Sequence, residues 1–520
     1  MARVTARPPR GDDTSSIERD QSVVDGFLRD AAHFPGGHAE GVARPTSEAA
    51  VAALVTTHAP ILVAGAQSSL TGGATPHGGI VLNTARLIGI ERVGADHVRV
   101  GAGVPLLALQ EALDEWGAWF PPVPTFMGAF AGGAVATNAA GAATFKYGTT
   151  RAWTDALSCV LTCGCVLDVD RGTAFADPHF EIACAHGTRT VTPGSHRMPD
   201  VPKVSAGYFA SPGMDLIDLF IGSEGTLAVI TSVTFRVLPV RPRQALALLT
   251  SDDEQDALRL VAELRALPMV AAIEHLDRRC IEIVREDGED VKNGVSIPAD
   301  ARMLLIVQIE LPAAMSDAEG LDQIAGALDD DAADSELVRF TQLLDRHGAL
   351  ERTEIAMPDN ERRAKQMLAV REAAPTGVNR RVGEAKRQDP RISKTAADMI
   401  VPFDRFGEML AIYEHGYRAR GLDYAIWGHV SDGNVHPNVI PRSYEDVEAG
   451  KNAIFEFGRE AARLGGCPLA EHGVGRHPVK QELLRQLYGD SGIAEMRAIR
   501  KAFDPESRLA PGVLFAERTG

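Results

Sequence analysis

Three glycine-rich segments in the first half of the chain constrain its fold most strongly. They cover residues 65–73, 132–141 and 222–225, and the first follows the apolar run ILVA. Glycines and other small residues let backbone amides come close to a ligand, and loops of this kind bind phosphate groups. The first segment matches neither GxGxxG nor GxxxxGK[ST], so it does not predict the usual nicotinamide or P-loop site. A tight turn explains any one segment equally well, but three in this order favour a phosphate-containing ligand.

The chain has 520 residues, enough for two or three domains. PTS followed by EAAVAALVTTHA predicts a capped amphipathic helix, ILVAG a buried strand and VPLLALQEALDEWG a further helix. After residue 240 a new alternation of strand-like and helical runs begins with ALALLTSD, DEQDALRLVAELRAL, AAIEHL and MLLIVQIEL. We therefore expect a mixed helix-and-sheet fold with a separate second domain, in which the acidic residues 329–334 form a solvated loop.

The charge balance limits the classes of partner. The formal net charge is -17, from 53 Lys and Arg against 70 Asp and Glu, which disfavours nucleic acid and anionic membrane surfaces. No run of about 18 apolar residues is present, and the N-terminus lacks the apolar core of a signal peptide, so neither a transmembrane segment nor secretion is predicted. The expected location is cytoplasmic, with peripheral membrane association as the alternative.

The six cysteines are sparse and lie mostly in apolar segments, which is unlike a disulfide framework and fits a reducing compartment. Cys163 and Cys165 form a C-x-C pair, but no second pair has metal-ligand spacing. Neither an iron–sulfur cluster nor a zinc knuckle is therefore predicted here, and we expect both cysteines to lie in a strand.

The sharpest local feature of the second half is WGHVSDGNVH at residues 427–436. Asp432-Gly433 is a preferred two-residue hairpin turn, and strand-forming residues flank it. With these two residues at the turn, His429 would oppose His436 on the same face. Opposed residues have Cβ atoms about 5 Å apart, at which two imidazoles can share one metal ion.

A carboxylate that can complete this site follows in AEHGVG at residues 470–475. Glu471 lies 35 residues after His436, and the glycines behind it leave space. Two histidines and one carboxylate suit zinc, manganese or iron and leave coordination positions for a substrate. A lone histidine is more often a core or surface residue, but this grouping favours a metal site.

With these segments in this order, the chain resembles the vanillyl-alcohol oxidase and p-cresol methylhydroxylase family of flavoproteins, and within it the D-lactate, glycolate and D-2-hydroxyglutarate dehydrogenase branch. The resemblance implies an α+β fold: a two-part FAD-binding domain of the p-cresol methylhydroxylase type, a substrate (cap) domain with an antiparallel sheet and flanking helices, and a helical C-terminal segment. The implied divisions are a leader at residues 1–43, the FAD-binding domain at 44–240, the substrate domain at 241–427, and a metal-site segment at 428–520 that returns to the FAD domain.

The resemblance also implies FAD as a dissociable cofactor. The first two glycine-rich segments would hold its pyrophosphate, and residues 224–230 would help to hold the adenosine side. The residues implied to bind FAD are Gly65, Ala66, Gln67, Ser68, Ser69, Thr71, Gly72, Pro122, Gly132, Gly133, Thr137, Asn138, Gly141, Tyr147, Glu224, Gly225, Ile230 and Asn434.

The metal-dependent relatives carry the motifs GHxGDGNxH and EHG, which correspond here to the ligands His429, His436 and Glu471 and to His472 as the catalytic base. Ser431 stands where those relatives have glycine. Zinc or manganese is the expected ion, with iron as the alternative.

Two cations are candidates for binding the substrate. Arg371 resembles the arginine with which relatives bind the substrate carboxylate, because a guanidinium can donate two hydrogen bonds to it. A helix-surface arginine explains Arg371 nearly as well. Lys394, in ISKTAADMIVP, is the weaker candidate because its offset from Asp398 differs from that of some relatives.

The resemblance, together with these residues, implies an FAD-dependent dehydrogenase that converts a small D-2-hydroxy acid, such as D-lactate or D-2-hydroxyglutarate, into the 2-keto acid. Metal-assisted substrate binding, a histidine base and hydride transfer to flavin N5 would carry the reaction. A transferase resembling alkyl-dihydroxyacetone-phosphate synthase and a flavoprotein without turnover are the alternatives. The electron acceptor is left open, and so is formation of a homodimer.

Overall fold

The computed structural model describes residues 2–122, 124 and 126–516. The strands of this part of the chain are β1 (Ala2–Thr5), β2 (Ile17–Glu18), β3 (Gly41–Ala43), β4 (Ile61–Ala64), β5 (Ile80–Asn83), β6 (Ile90–Val93), β7 (His97–Gly101), β8 (Ala118–Trp119), β9 (Thr154–Val160), β10 (Val166–Asp170), β11 (Phe180–Cys184), β12 (Gly187–Val191), β13 (Val229–Arg236), β14 (Leu238–Pro239), β15 (Arg243–Ser251), β16 (Val270–Leu276), β17 (Met303–Leu311), β18 (Thr353–Ala356), β19 (Thr395–Ala396), β20 (Met399–Ile400), β21 (Tyr424–His429) and β22 (Asn434–Val439).

The α-helices are α1 (Gln21–Val24), α2 (Glu48–Thr57), α3 (Leu106–Glu115), α4 (Ala131–Ala136), α5 (Thr144–Tyr147), α6 (Ile217–Phe220), α7 (Glu254–Leu264), α8 (Arg278–Glu286), α9 (Glu289–Lys292), α10 (Asp317–Ala325), α11 (Glu336–Arg346), α12 (Glu361–Gln388), α13 (Phe406–Arg418), α14 (Tyr444–Arg463) and α15 (Pro478–Phe503). The predicted helix after Ser47 is confirmed as α2, where the Ser47 hydroxyl accepts a hydrogen bond from the Ala50 amide and caps the helix.

The first half of the chain is built around two main sheets, in agreement with the predicted two-part domain. One has the order β2-β3-β5-β4 with parallel pairing among β3, β5 and β4, and the other is antiparallel with the order β10-β9-β13-β7-β6. Strands β4 and β5 are apolar at nearly every position because both of their faces are covered. A three-stranded sheet, β1-β11-β12, joins the second of these through a bridge between Arg7 and Val166.

The second half contains an antiparallel sheet with flanking helices, as predicted. Its strand order is β18-β15-β17-β16-β21-β22-β19, with β20 paired to β22. Helices α8 and α12 cover one face through buried residues such as Ile281 and Val370. Apolar residues of α7 and α11, such as Leu260 and Leu344, are buried in the other large core. The predicted domain boundary between residues 427 and 428 falls inside β21. The acidic residues 329–334 lie between α10 and α11 and are largely exposed.

The C-terminal helices lead the chain back to the first half. After α15, the Ile61 amide donates to the Arg508 carbonyl at 2.7 Å, and the Ala510 amide donates to the Ile61 carbonyl at 2.7 Å. The Leu514 amide donates to the Gly475 carbonyl at 2.9 Å. The first two bonds attach the last described segment to β4, which leads into the first glycine-rich segment, and the third attaches it to Gly475.

Two further expectations are decided by the fold. Cys163 and Cys165 are not strand residues, because the chain turns between β9 and β10 there, with Gly164 at a φ of 82°. The turn is closed by hydrogen bonds from the Leu161 amide to the Cys165 carbonyl and from the Gly164 amide to the Leu161 carbonyl.

Within the described residues, no helix is both long enough and apolar enough to cross a bilayer.

Candidate functional site

The histidine hairpin is present, but its register differs from the predicted one. His429 pairs with Asn434, and His436 pairs with Trp427, so the predicted pairing of His429 with His436 is wrong by two residues. Residues 430–433 form a four-residue loop that ends at Gly433 with a φ of 85°. Because side chains alternate faces with a period of two, a two-residue shift leaves both histidines on the same face.

Contacts with a neighbouring strand explain the longer loop. The Ser431 hydroxyl accepts a hydrogen bond from the Ile273 amide of β16 at 3.1 Å, and the Ser431 carbonyl accepts one from Arg265 at 2.6 Å. A Cβ at Gly433 would lie 2.1 Å from the Val401 carbonyl oxygen, so this position requires glycine. The serine that replaces the relatives' glycine therefore anchors the hairpin to the sheet.

The three predicted ligands converge in the structure. The Nε2 atoms of His429 and His436 lie 3.4 and 3.3 Å from the same Glu471 oxygen, Oε1. One potential ligand atom from each residue lies within 4.8 Å of the other two. Two imidazoles and a carboxylate in this arrangement fit a divalent metal ion with positions left for other ligands.

A carboxylate behind His429 orients its ring. Glu274 of β16 lies with Oε1 2.5 Å from His429 Nδ1, which leaves Nε2 to face Glu471. The other Glu274 oxygen accepts hydrogen bonds from Arg371 of α12 at 2.8 and 2.9 Å. Burial acts to raise the pKa of Glu274, but Arg371 and His429 hold that pKa well below its usual range. A carboxylate that fixes the second nitrogen of a histidine is typical of metal ligands.

Lys203 completes the site from a distant part of the chain, and sequence reasoning missed it. Its ammonium lies 3.0 Å from Asp432 Oδ2 and 3.1 Å from Glu471 Oε2, and its side chain has no exposed surface. Burial acts to lower the pKa of Lys203, but these two carboxylates hold it above its usual value. The residue has no motif around it, and only its position in the fold shows its role.

Asp398, also missed as a site residue, holds the EHG segment in place. Its Oδ2 accepts hydrogen bonds from the backbone amides of Glu471 at 3.0 Å and His472 at 2.8 Å, and its Oδ1 accepts one from Asn434 at 3.2 Å. Asp398, His436 and His472 form a second group whose ligand atoms lie within 4.8 Å of one another. Because Asp398 is already occupied by these three donors, the group with Glu471 is the better metal site.

His472 lies at the edge of the site, where its side chain keeps 28% of its surface exposed. Its ring stacks on that of His436 with centroids 4.9 Å apart. Its Nδ1 lies 3.3 Å from Asp398 Oδ2, and its Nε2 lies 3.6 Å from Glu471 Oε1. Burial lowers the pKa of His472 to about 4, so the imidazole is neutral at pH 7.

The three glycine-rich segments come together next to this site. The Glu224 amide donates to the Ala136 carbonyl at 2.7 Å, and a Cβ at Gly225 would lie 3.6 Å from the Cβ of Val63 in β4. A Cβ at Gly132 would lie 2.6 Å from the Cβ of Ala102, whereas one at Gly133 would meet nothing within 4 Å. Gly132 therefore lets helix α4 pack closely against Ala102, whereas the backbone at Gly133 is uncovered and a cofactor could approach it closely.

The EHG segment, residues 471–476, directly contacts the first glycine-rich loop. A Cβ at Gly475 would lie 2.3 Å from the Thr71 carbonyl oxygen, and the Arg476 amide donates to that carbonyl at 3.0 Å. The Glu224 carboxylate accepts hydrogen bonds from the Val474 and Gly475 amides, both at 2.8 Å. The predicted cofactor loops and the predicted metal ligands therefore meet at residues 471–476.

Several predicted site residues make other contacts. The Tyr147 hydroxyl donates to the Glu310 carboxylate of β17 at 2.7 Å, and Ile230 is buried within β13. The Asn434 amide group donates to Asp398 and to the Met399 carbonyl. Binding of FAD by these three residues stays a prediction. The same holds for FAD binding by Pro122, Gly141 and the other predicted residues of the glycine-rich loops.

The two predicted substrate cations are placed differently. Arg371 donates to Glu274 through Nε and Nη2 and to Glu372 through Nη1, so most of its donors are occupied. The Lys394 ammonium lies 5.9 Å from the centre of the Trp427 ring, and Trp427 is the residue paired with His436. Both substrate contacts stay predictions.

Comparison with known families matches two parts of the chain. Residues 39–170 match the FAD binding domain family, and residues 241–514 match FAD linked oxidases, C-terminal domain. D-lactate dehydrogenase of Archaeoglobus fulgidus is 29% identical over 87% of this chain and 85% of its own length. The glycolate oxidase subunit GlcD of Bacillus subtilis is 25% identical over 88% and 84%, and the mitochondrial D-2-hydroxyglutarate dehydrogenase of Bos taurus is 27% identical over 86% and 71%.

Solved structures share the fold. The isoeugenol complex of 4-ethylphenol oxidase from Gulosibacter chungangensis superposes with a TM-score of 0.63 at 14% identity and covers 97% of this chain and 95% of the other. Alkyldihydroxyacetonephosphate synthase superposes with a TM-score of 0.58 at 14% identity over 95% and 82%. The expected p-cresol methylhydroxylase-type architecture is thereby confirmed.

Replacement of Lys203 with Met should destabilise the protein, because it leaves Asp432 and Glu471 buried without their cation. Loss of one partner of a buried ion pair costs about 3–5 kcal/mol, so we expect a fall of that size in the free energy of unfolding of metal-free protein in urea. Lys451→Met, at an exposed ion pair with Glu448, should change it by less than about 0.5 kcal/mol.

Addition of Asp432→Asn to Lys203→Met should recover part of this loss, because it removes one uncompensated charge. An unfolding free energy unchanged by Lys203→Met, or a double variant less stable than the single, would contradict the assigned role of Lys203.

Proposed function

Because the chain belongs to the FAD-linked oxidase family, we propose that it is an FAD-dependent dehydrogenase that oxidises a small D-2-hydroxy acid to the 2-keto acid. The observation that carries this proposal is the convergence of His429, His436 and Glu471 beside the three glycine-rich segments. The relatives named D-lactate dehydrogenase, glycolate oxidase subunit GlcD and D-2-hydroxyglutarate dehydrogenase support a 2-hydroxy acid as the substrate. D-lactate and D-2-hydroxyglutarate are the first substrates to test.

We propose that these three residues hold a divalent ion, with zinc or manganese preferred and iron as the alternative. Such an ion, when bound, would coordinate the carboxylate and hydroxyl oxygens of the substrate and lower the pKa of its hydroxyl. The protein's part is to hold the ligands: Glu274 orients His429, and Lys203 fixes Glu471 through its second oxygen. These supports also keep buried negative charge compensated before a metal binds.

His472 is the proposed base. Its Nδ1 side faces Asp398, so Nε2 is the atom that would take the hydroxyl proton of the substrate. A neutral imidazole suits this role, and the Asp398 bonds to the Glu471 and His472 amides fix the position of the base relative to the metal ligand.

We propose that residues 65–73, 132–141 and 222–225 hold FAD, which when bound would accept the two electrons as a hydride at N5. The contact of Gly475 with Thr71 sets the spacing between cofactor loops and metal ligands. Arg371, which contacts Glu274, is the candidate cation for the substrate carboxylate, and Lys394, which lies near Trp427, is the weaker candidate.

Two alternatives use the same fold. A transferase resembling alkyl-dihydroxyacetone-phosphate synthase is consistent with the shared architecture, and a flavoprotein without turnover would also hold FAD. Neither use accounts for the converging ligands with a neutral histidine beside them. Flavin reduction by hydroxy acids separates the proposed dehydrogenase from both.

Anaerobic mixing of the FAD-loaded protein with D-lactate or D-2-hydroxyglutarate should bleach the flavin absorbance. The D enantiomers should react about 100-fold faster than the L enantiomers, because a fixed chelate presents one face and misplacement by about an ångström costs on that order. Stopped-flow absorbance measures both rates. Equal rates for the enantiomers would contradict a fixed chelate, and no bleaching by any hydroxy acid would reject the dehydrogenase.

Chelator treatment should abolish turnover while FAD stays bound, and added zinc or manganese should restore it. His429→Ala and His436→Ala should each lose one equivalent of metal, because each removes one of the three protein ligands of this site. Elemental analysis and flavin fluorescence after denaturation count both cofactors. His347→Ala, at a surface ion pair with Glu263, serves as the control and should retain metal. A metal-free enzyme that reduces its flavin at the full rate would make the hairpin purely structural.

Replacement of His472 with Ala should retain metal and FAD but slow flavin reduction about 100-fold or more, the scale for loss of a general base. Added imidazole should restore part of the rate. The control His415→Ala changes an exposed residue of α13 and should react like the unmodified enzyme. Loss of metal in His472→Ala would show that this residue is a ligand, and an unchanged rate would exclude it as the base.

A further inference from the structure

Three of the six cysteines lie together, away from the histidine site. Cys163 and Cys165 occupy the turn between β9 and β10, and Cys184 is the last residue of β11. The Sγ atoms of Cys163 and Cys184 are 3.9 Å apart, and all three sulfurs lie within 4.8 Å of one another. The C-x-C spacing alone did not predict a site, because the third thiol arrives from a different hairpin.

The sulfur separation fits a shared metal ion better than a disulfide. Zinc–sulfur bonds are about 2.3 Å long, which places two thiolates on a tetrahedral ion about 3.8 Å apart. The observed 3.9 Å is close to that value. A disulfide would need the two sulfurs at about 2.05 Å and would leave the third thiol unused.

The backbone holds both thiol-bearing loops in place. The β9–β10 turn is closed by the hydrogen bonds of Leu161 with Cys165 and Gly164. Cys184 pairs with Gly187 at the end of the β11–β12 hairpin, and β11 also pairs with β1. A site whose ligands are already positioned loses little conformational freedom when an ion binds.

Access and charge also suit an ion. Cys163 and Cys165 line an open cleft of about 650 Å³ with residues 6–9 of the N-terminal segment and His186, so ions in solvent can reach the thiols. Burial raises the pKa of Cys163 to about 11, and the positive charge of Arg189 in β12 acts in the opposite direction. The charge of Arg189 would offset the net negative charge of three thiolates on a divalent ion.

We propose that Cys163, Cys165 and Cys184 bind one thiophilic metal ion of the zinc class, at a site separate from the histidine site. The ion would connect the five-stranded sheet, through the β9–β10 turn, to the β11–β12 hairpin. The cleft would leave the fourth coordination position to water. The three-sulfur donor set selects softer ions than the two-histidine, one-carboxylate set does.

Titration of the reduced, FAD-loaded protein with Cd²⁺ tests this site, because a thiolate-to-cadmium absorption band in the ultraviolet appears only with sulfur ligands. One equivalent should saturate the band in the unmodified protein. Cys163→Ser and Cys184→Ser should each abolish it, and both residues are only partly buried, so serine is tolerated there. Cys280→Ser, at a buried cysteine outside the cluster, should leave the band unchanged.

X-ray absorption of the zinc-loaded protein gives a second measurement that leaves the three cysteines unchanged. With the histidine site removed by His436→Ala, the remaining zinc should show three sulfur neighbours at about 2.3 Å. Absence of the cadmium band, zinc without sulfur neighbours, or a disulfide between Cys163 and Cys184 in the protein as purified would each overturn the proposal.

Discussion

Four carboxylates, those of Glu274, Asp398, Asp432 and Glu471, are buried around the histidine hairpin, and their compensation organises the second half of the molecule. Removing a charge from water costs several kcal/mol per ion even after relaxation. Each carboxylate therefore draws in a partner from elsewhere: Arg371 from α12, Lys203 from the segment before α6, and backbone amides of the EHG segment. Removal of any one of these partners would leave a buried charge uncompensated and would destabilise the fold.

The same network connects the two halves of the chain. Lys203 belongs to the first half but bonds to residues of the hairpin and the EHG segment, and the Ser205 amide donates to the Leu469 carbonyl at 3.0 Å. Glu224 accepts from the Val474 and Gly475 amides, which places a glycine-rich cofactor loop against the segment that carries Glu471. Buried side chains of the first half, those of Lys203 and Glu224, thus fix the position of residues 471–475 relative to the glycine-rich loops.

Two clusters of potential metal ligands are assembled in the same way at different places. In the histidine cluster, a hairpin supplies His429 and His436, and the segment before α15 supplies Glu471. In the cysteine cluster, a turn supplies two thiols and a separate hairpin supplies the third. In each cluster, two residues lie in one short stretch of sequence, whereas the distance of the third from them depends on the tertiary structure.

Features that depend on neighbours along the chain could be predicted from the sequence. Ser47 caps α2, the run ILVA forms β4, and the face shared by His429 and His436 follows from the strand period of two. The family motifs also predicted that Glu471 lies with the two histidines, and the structure places it there. The hairpin register could not be predicted, because it depends on the hydrogen bond of Ser431 to β16. The positions of Lys203, Asp398 and Glu274 next to the histidines also depend on the tertiary structure. These residues lie far from the histidines along the chain or have no recognisable motif around them. They share the compensation of buried charge, an interaction that acts through space and leaves no periodic pattern in the sequence.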